Sequence, residues 1–443
     1  MADCFRTEIT FHFNQGKNDL RINTNTLRFT AFNAQIDALR AAGVRIFGPG
    51  ATVAQDLEPE YITVSADSQT AYVTLQENNA VAELDIRHGR ITAVHGLGYK
   101  DHSLSGNELD ASDKDNAVTI RNWPIRGLYQ PDAISNFKHH GKTYLVTANE
   151  GDARAWGEDN DAYWAGDASK GFVEEFRVKH LVNRNGWAGR AGDDLPPQLN
   201  ALAAGGLLDP ATFGYCGAVA GNPGNCRADD QLGRLNISWT MGYRMKADGS
   251  PQLFNANGDP SDAGNRLMYD ELYSYGARSF SIRDANGTLV WDSGAEIERF
   301  VASDECRLGS LRNIPCADFF NSGHDEGDAR DSRSDAKGPE PEGLTLGQVN
   351  GRTLAFVGLE RIGGVLVYDI TDPRAPFRLD YLNTREEWDT DPEDLPDLAT
   401  AGDLGPEGLV FIPADQSPNG RHLLVVGNEV SGTTAVLQLK LTY

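Results

Sequence analysis

The chain has 443 residues, 40% of them hydrophobic, enough for one large all-β architecture or two to three ordinary domains. A formal net charge of −24 excludes nucleic acid, whose partners are basic, and is compatible with cation binding. No apolar run approaches the ~20 residues of a membrane helix, so no membrane span is expected.

Residues 1–50 read as an N-terminal segment with a short helix. Phe32, Ile36 and Leu39 share one face of a helix ending near Gly43, and Val44-Arg-Ile-Phe-Gly48 reads as a short strand. Met1-Ala-Asp-Cys-Phe-Arg6 has neither the basic start nor the apolar core of a signal peptide. Residues 51–443 read as one β domain.

That domain repeats one sentence four times: Pro-acid, strand, hairpin, strand, acid. Pro59-Glu60 leads through Ala71–Leu75 to Glu77. Pro131-Asp132 leads through Thr143–Ala148 to Glu150. Pro341-Glu342 leads through Thr353–Gly358 to Glu360, and Pro406-Glu407 through His422–Gly427 to Glu429. The acid-to-acid separations are 17 (60 to 77), 18 (132 to 150), 18 (342 to 360) and 22 (407 to 429). In the third copy, Asn350-Gly351 is a strong hairpin signal. A repeated hairpin of this kind marks radial or stacked repeats.

Between the copies lie inserted loops. Lys100–Asp115 is polar and carries His102. A loop-rich stretch, roughly 155–265, holds Cys216 and Cys226, and a later loop holds Cys306 and Cys316. Two short loops, each closed by a cysteine pair, point to local disulfides and an oxidising compartment; the alternative is four thiols, and Cys4 is left over. Ser279–Arg283 and Leu289–Ser293 form another hairpin, with Arg278 where the copies carry acids. It counts as a further blade, because the repeat starts at 132 and 342 leave room for several periods of about 70. His324–Lys337, dense in both signs, opens directly into Pro339-Glu-Pro-Glu342.

The expected fold is therefore an all-β β-propeller of about five to seven blades with long inserted loops. The innermost strand of each blade lines a central channel. Glu60, Glu77, Asp132, Glu150, Glu342, Glu360, Glu407 and Glu429 would then gather near its mouth. Like charges held close repel. A hard cation relieves them, and oxygen-only ligands suit Ca²⁺ or another divalent cation. The competing reading is that these acids are solvated turn residues scattered over the surface.

Several stretches resemble the choice-of-anchor I family. They are Gly43–Glu60, Lys100-Asp-His-Ser103, Thr147–Arg154, Gly276–Ser281, Lys337–Gly343, Leu359–Gly364 and Gly427–Thr433. The resemblance implies a β-propeller, an extracellular or periplasmic location and, from some members, an activity like alkaline phosphatase. It also implies further repeats ahead of Gly43, so the ring and its leader are expected to be incomplete here.

Three functions fit this reading. The first is a Ca²⁺-dependent phosphomonoesterase acting on a small phosphorylated substrate. Arg154, Arg278 and Arg361 would clamp phosphate, and His102 and Lys100 would bind phosphate or protonate the leaving group. No Ser-, Thr- or Cys-centred nucleophile motif stands out, so activated water is the expected nucleophile. The second is a non-enzymatic cell-surface or adhesion module holding structural calcium and a surface ligand. The third is a lactonase- or phytase-like hydrolase on the same platform.

Overall fold

Each Pro-acid unit builds the first two strands of its own antiparallel sheet in the computed structural model. The structure describes residues 9–14, 17–22, 26–189, 195–327, 329–392, 394 and 398–440. The first sheet comprises Ile62–Val64, Thr70–Leu75, Ala80–Asp85 and Arg90–Gly96. The second comprises Ile134–His139, Lys142–Asn149, Ser279–Asp284 and Leu289–Asp292. The third comprises Pro341–Val349, Arg352–Leu359, Val365–Asp369 and Phe377–Leu382. The fourth has three strands, Pro406–Ile412, Leu423–Asn428 and Thr433–Gln438. Asn350 and Gly351 both take positive φ, 51° and 78°, as a two-residue hairpin loop requires.

The sheets pack face to face in chain order, with their first strands side by side. Period-two alternation feeds a different apolar layer on each face. Ala355 and Val357 join Phe280 and Val146 between the second and third sheets. Leu354 and Phe356 meet Leu409 and Leu424 between the third and fourth. Tyr72 and Val81 meet Ile134 and Leu145 between the first and second. The first sheet's other face is covered by Phe29, Phe32 and Leu39 from the helical segment Phe29–Ala41.

Three sequence expectations need correction. The protein is mostly β rather than all-β, with short helices between the strands, and the described sheets close no barrel. The hairpin after Arg278 is not a separate blade: Ser279–Asp284 pairs with Lys142–Asn149, so it completes the second sheet. The long gap between repeat starts is one insertion inside a sheet, not extra periods. Val44–Gly48 joins no ladder, so the short strand expected there is not formed.

The insertion builds its own layer. Glu175–Arg177, Asn236–Ser238 and Tyr273–Ser274 join Arg126–Leu128 and Tyr99–Asp101 in a five-stranded sheet. Its core gathers Trp123, Phe172, Phe176, Phe213, Leu235 and Tyr269. The chain leaves and re-enters the second sheet at Gly151 and Gly276, where the two passes lie so close that a side-chain carbon on Gly151 would overlap the backbone of Gly276, and one on Gly276 the backbone of Glu150. Cys216 pairs with Cys226, and Cys306 with Cys316. Cys4 lies outside the described residues. No described helix is long and apolar enough to cross a membrane.

The third and fourth sheets lie in close contact at Gly343. A Cβ there would overlap the Glu407 carbonyl oxygen and sit 2.5 Å from Leu409 Cδ1. Gly343→Ala is therefore expected to lose about 1–3 kcal/mol of stability by forcing the sheets apart. Gly408→Ala, with nothing within 4 Å of its added carbon, should change little. Urea denaturation of both variants checks the contrast, and equal stability would refute the packing account.

Candidate metal centre

In all four units two residues at the head of the first strand oppose one on the second. Register slips between Pro341 and Leu344, and between Pro406 and Gly408. In the second sheet Asp132 N–H donates to the Ala148 carbonyl while Ala148 N–H donates to Ala133, both at 3.1 Å. In the first, Thr74 stands likewise opposite Glu60 and Tyr61, at 3.0 and 2.9 Å. Such bulges re-aim the extra residue's side chain. The proline beside each acid has no ladder donor to lose.

The acids of different units come together. Oxygens of Asp132, Glu150 and Glu342 lie within 4.8 Å of one another, as do those of Glu150, Glu340 and Glu360. His324, Glu360 and Glu429 form a third such group. Burial pushes Asp132 up to about 8, helped by the charges of Glu150, Glu60 and Glu407. Burial raises Glu342 to about 10, with Glu360, Glu150, Asp132 and Glu429 acting the same way. Glu360 rises to about 9 through burial, Glu340 and Glu150, although Arg361 and Lys337 oppose it. Burial and Glu407 also raise the more open Glu429. Glu60 and Glu407 are exposed and act on the group through their charge.

Glu77 does not join. The residue directly after its strand, where the other units place Glu150, Glu360 and Glu429, is Gln76. Gln76 Nε2 donates to Glu150 Oε2 at 2.7 Å. One position on, Glu77 faces a different neighbourhood: burial raises it to about 7, Glu58 and Asp152 add to this, and Arg154 opposes.

The hub is a residue that sequence reasoning passed over. Glu340 is fully buried and binds three cations. Arg333 donates to its Oε1 at 3.0 and 2.8 Å, Lys337 reaches Oε2 at 2.8 Å and Arg361 reaches Oε2 at 3.2 Å. Burial opposes its ionisation, but these three charges outweigh it and hold the carboxyl far below the ordinary range. Lys337 also pairs with Glu150. Arg361 also pairs with Glu360, at 3.1 Å, and with His324 Nε2, at 2.7 Å. The signal was in Pro339-Glu-Pro-Glu342, which offers two glutamates for one role.

Of the five predicted basic residues, only Arg361 reaches the carboxylates. Lys100 is buried against Asp292 at 2.8 Å and donates to the carbonyls of Ala277 and Gly294. His102 hydrogen-bonds the Asn107 carbonyl through Nδ1, and burial with nearby Lys100 pushes it down to about 3. Arg154 is held by Asp56 at 2.9 Å and Glu58 at 3.0 Å, and lies over Phe47. Arg278 spans Glu298, Asp110, Ser334 and Ala336, tying down the loop that delivers Lys337. All four are buried structural ties: Lys100, Arg154 and Arg278 are paired as internal cations must be, and His102 is held as a neutral ring.

The carboxylates fit a hard cation. Glu342 Oε2 and Glu360 Oε2 are buried without a hydrogen-bond partner among the described residues, and the donors are oxygens. Asp132, Glu150 and Glu342 are the set least occupied by side-chain cations, although Lys337 and Gln76 already reach Glu150.

Comparison with known proteins bears on the same region. The family model for the Choice-of-anchor I domain matches residues 9–373. Gigasin-3a of Magallana gigas is 31% identical over 175 residues, 39% of this chain and 59% of the relative. Mesenchyme-specific cell surface glycoprotein of Strongylocentrotus purpuratus is 26% identical over 378 residues, 80% of this chain and 41% of the relative. The chain thus spans about half the length of these curated relatives. A putative 6-phosphogluconolactonase from Bacteroides uniformis overlaps 89% of this chain and 83% of its own, at 10% identity and a TM-score of 0.20. Kuenenia stuttgartiensis hydrazine synthase overlaps 88% and 98%, at 12% identity and 0.17. At such scores neither likeness bears on fold or chemistry.

Two outcomes are expected. Glu340→Gln leaves three cations facing a neutral amide and should lose about 3–5 kcal/mol in chemical denaturation. The second concerns pH. Folded Asp132, Glu360 and Glu342 titrate at about 8, 9 and 10, whereas unfolded carboxyls ionise near 4. Between those limits the folded chain binds more protons, so stability in chelator should fall as pH rises from about 5 to 9. A melting temperature that is flat or rising over that range would refute the electrostatic account.

Proposed function

Because this chain belongs to the choice-of-anchor I family, we propose that it is an extracellular β-propeller module whose central carboxylates hold Ca²⁺ or a similar divalent cation, serving at a surface rather than as an enzyme. The observation that carries this is the convergence of Asp132, Glu150 and Glu342, two of them pushed to about 8 and 10, around an unpartnered carboxylate oxygen. A cation there would be held by these three side chains and would replace the protons that they otherwise keep. The propeller reading is supported by four sheets packed face to face with first strands adjacent. The location is supported by two disulfides and by likeness to a cell-surface glycoprotein over 80% of the chain.

Hydrolysis of a phosphate ester is the second reading, favoured by Arg361 and Lys337 standing beside the carboxylates. The cation would supply Lewis acidity toward a phosphoryl oxygen, and Arg361 would orient that oxygen through its planar fork. It stands second because both basic residues are already committed to Glu340 and its neighbours, and the other four predicted clamps and acids lie elsewhere.

Ca²⁺ in about 100-fold excess over its Kd should stabilise the chain by about 2.7 kcal/mol, with protons released on binding. Glu342→Gln should abolish the effect. Metal analysis that finds no bound divalent cation, together with a melting temperature unmoved by Ca²⁺, would end the proposal. Chelator-sensitive turnover of p-nitrophenyl phosphate would promote the second reading over the first.

A further inference from the structure

Within the stack, a sheet receives the Pro-acid head of the next one near the end of its own second strand. In the first sheet the receiving residue is Thr74, whose hydroxyl donates to the Asp132 carbonyl at 2.9 Å. In the third sheet it is Gly358, where an added Cβ would stand 2.7 Å from the Pro406 carbonyl oxygen. Gly343 lies under the neighbouring Glu407 carbonyl in the same way.

The fourth sheet repeats both glycines. Gly427 precedes Glu429 by two residues as Gly358 precedes Glu360, and Gly408 follows Glu407 as Gly343 follows Glu342. Among the described residues nothing sits on them. A Cβ on Gly427 would have only the Gly408 carbonyl of its own sheet nearby, at 3.7 Å, and one on Gly408 nothing within 4 Å. Strand alternation puts Val410, Val425 and Val436 on this same open face. Val436 is exposed, whereas Val367, its counterpart in the third sheet, packs against the fourth.

The first sheet lacks the opposite partner. The third residue after each repeat proline is apolar and faces the preceding sheet: Ile134, Leu344 and Leu409 are 2%, 4% and 5% exposed. Their counterpart in the first sheet, Ile62, is 54% exposed, and Val64 on the same face is exposed too. The helical segment Phe29–Ala41 covers the strands behind them and leaves the first strand open. One end of the stack is thus a seat without a head, and the other a head without a seat.

We propose that two copies of this chain associate head to tail, the Pro59-Glu60 strand of each seated on Gly427 and Gly408 of the other. Ile62 and Val64 of one copy then cover Val410 and Val425 of the other, and both open faces of each chain are buried at once. A contact between unlike faces forms a closed ring only where its rotation returns to the start. Eight sheets, four from each copy, lie within the range of about four to eight blades that propellers use. The contact follows from the stacking of the sheets and not from a bound cation. Each copy carries a net charge of −24, so salt is needed to screen the approach.

Sedimentation velocity of the full chain in about 0.15 M salt, from about 1 to 100 µM, tests this. The expected result is a concentration-dependent species of twice the chain's mass. Gly427→Val fills the seat, and Ile62→Lys places a charge on the apolar face of the strand that enters it. Each should weaken association about tenfold or more. Mixing the two variants should restore association, because one of the two seams then joins an unaltered fourth sheet to an unaltered first strand. A contact between like faces gives no such rescue. Both variants should keep the urea midpoint of the dilute, monomeric chain, since Gly427 has open space above it and Ile62 is exposed. Glu342→Gln should leave association unchanged, so failure of the cation reading is told apart from failure of this one. A chain that stays monomeric to about 100 µM, growth beyond two copies, association that either variant leaves undiminished, or a mixture that stays apart would overturn the inference. The measurement on the unaltered chain stands whether or not a variant folds.

Discussion

The architecture depends on one buried charge. Glu340 sits at φ 52°, a left-handed conformation that a non-glycine residue adopts only where its surroundings compel it, and its carboxylate holds Arg333, Lys337 and Arg361 at once. Those cations in turn reach Glu150 of the second sheet and Glu360 of the third. The hub therefore joins sheets through charge at the end where apolar packing gives out. Burying a charge is unfavourable unless it is paired, and here the pairing is threefold. Arg278, itself at φ 53°, fixes the same loop from behind through Ser334 and Ala336.

Against that background the chemistry of the centre is a contest between two kinds of counter-ion. Side-chain cations have claimed Glu340, Glu360 and half of Glu150. Asp132 and Glu342 are left with protons or a metal. Desolvation decides the outcome, because it is the largest influence on both, and the like charges from other units only deepen it.

The repeated units were legible because proline and acid mark the head of each first strand and a hairpin follows at fixed spacing. Helix and disulfides were legible too: Phe29–Ala41 is helical, and both cysteine pairs close their loops. What could not be read was which partner each charge takes. Lys100, Arg154 and Arg278 read as phosphate-binding residues because sequence shows a cation without showing Asp292, Asp56 or Glu298 beside it. Glu77 reads as the ring acid because the first unit places an amide, Gln76, where its sisters place a carboxylate. The insertion reads as extra periods, since nothing local announces that Ser279–Asp284 pairs with a strand left behind at Asn149.

That long-range pairing governs how the chain can be made. When Lys142–Asn149 leaves the ribosome, its partner strand lies some 130 residues further on (149 to 279). At synthesis rates of about 5–20 residues per second, the edge waits on the order of ten seconds for its mate. During that interval the cassette between Gly151 and Gly276 must collapse on its own aromatic core and bring its two ends together. Only then does the second sheet acquire its outer half. Its maturation is thus timed by this long-range closure rather than by the hairpins that surround it.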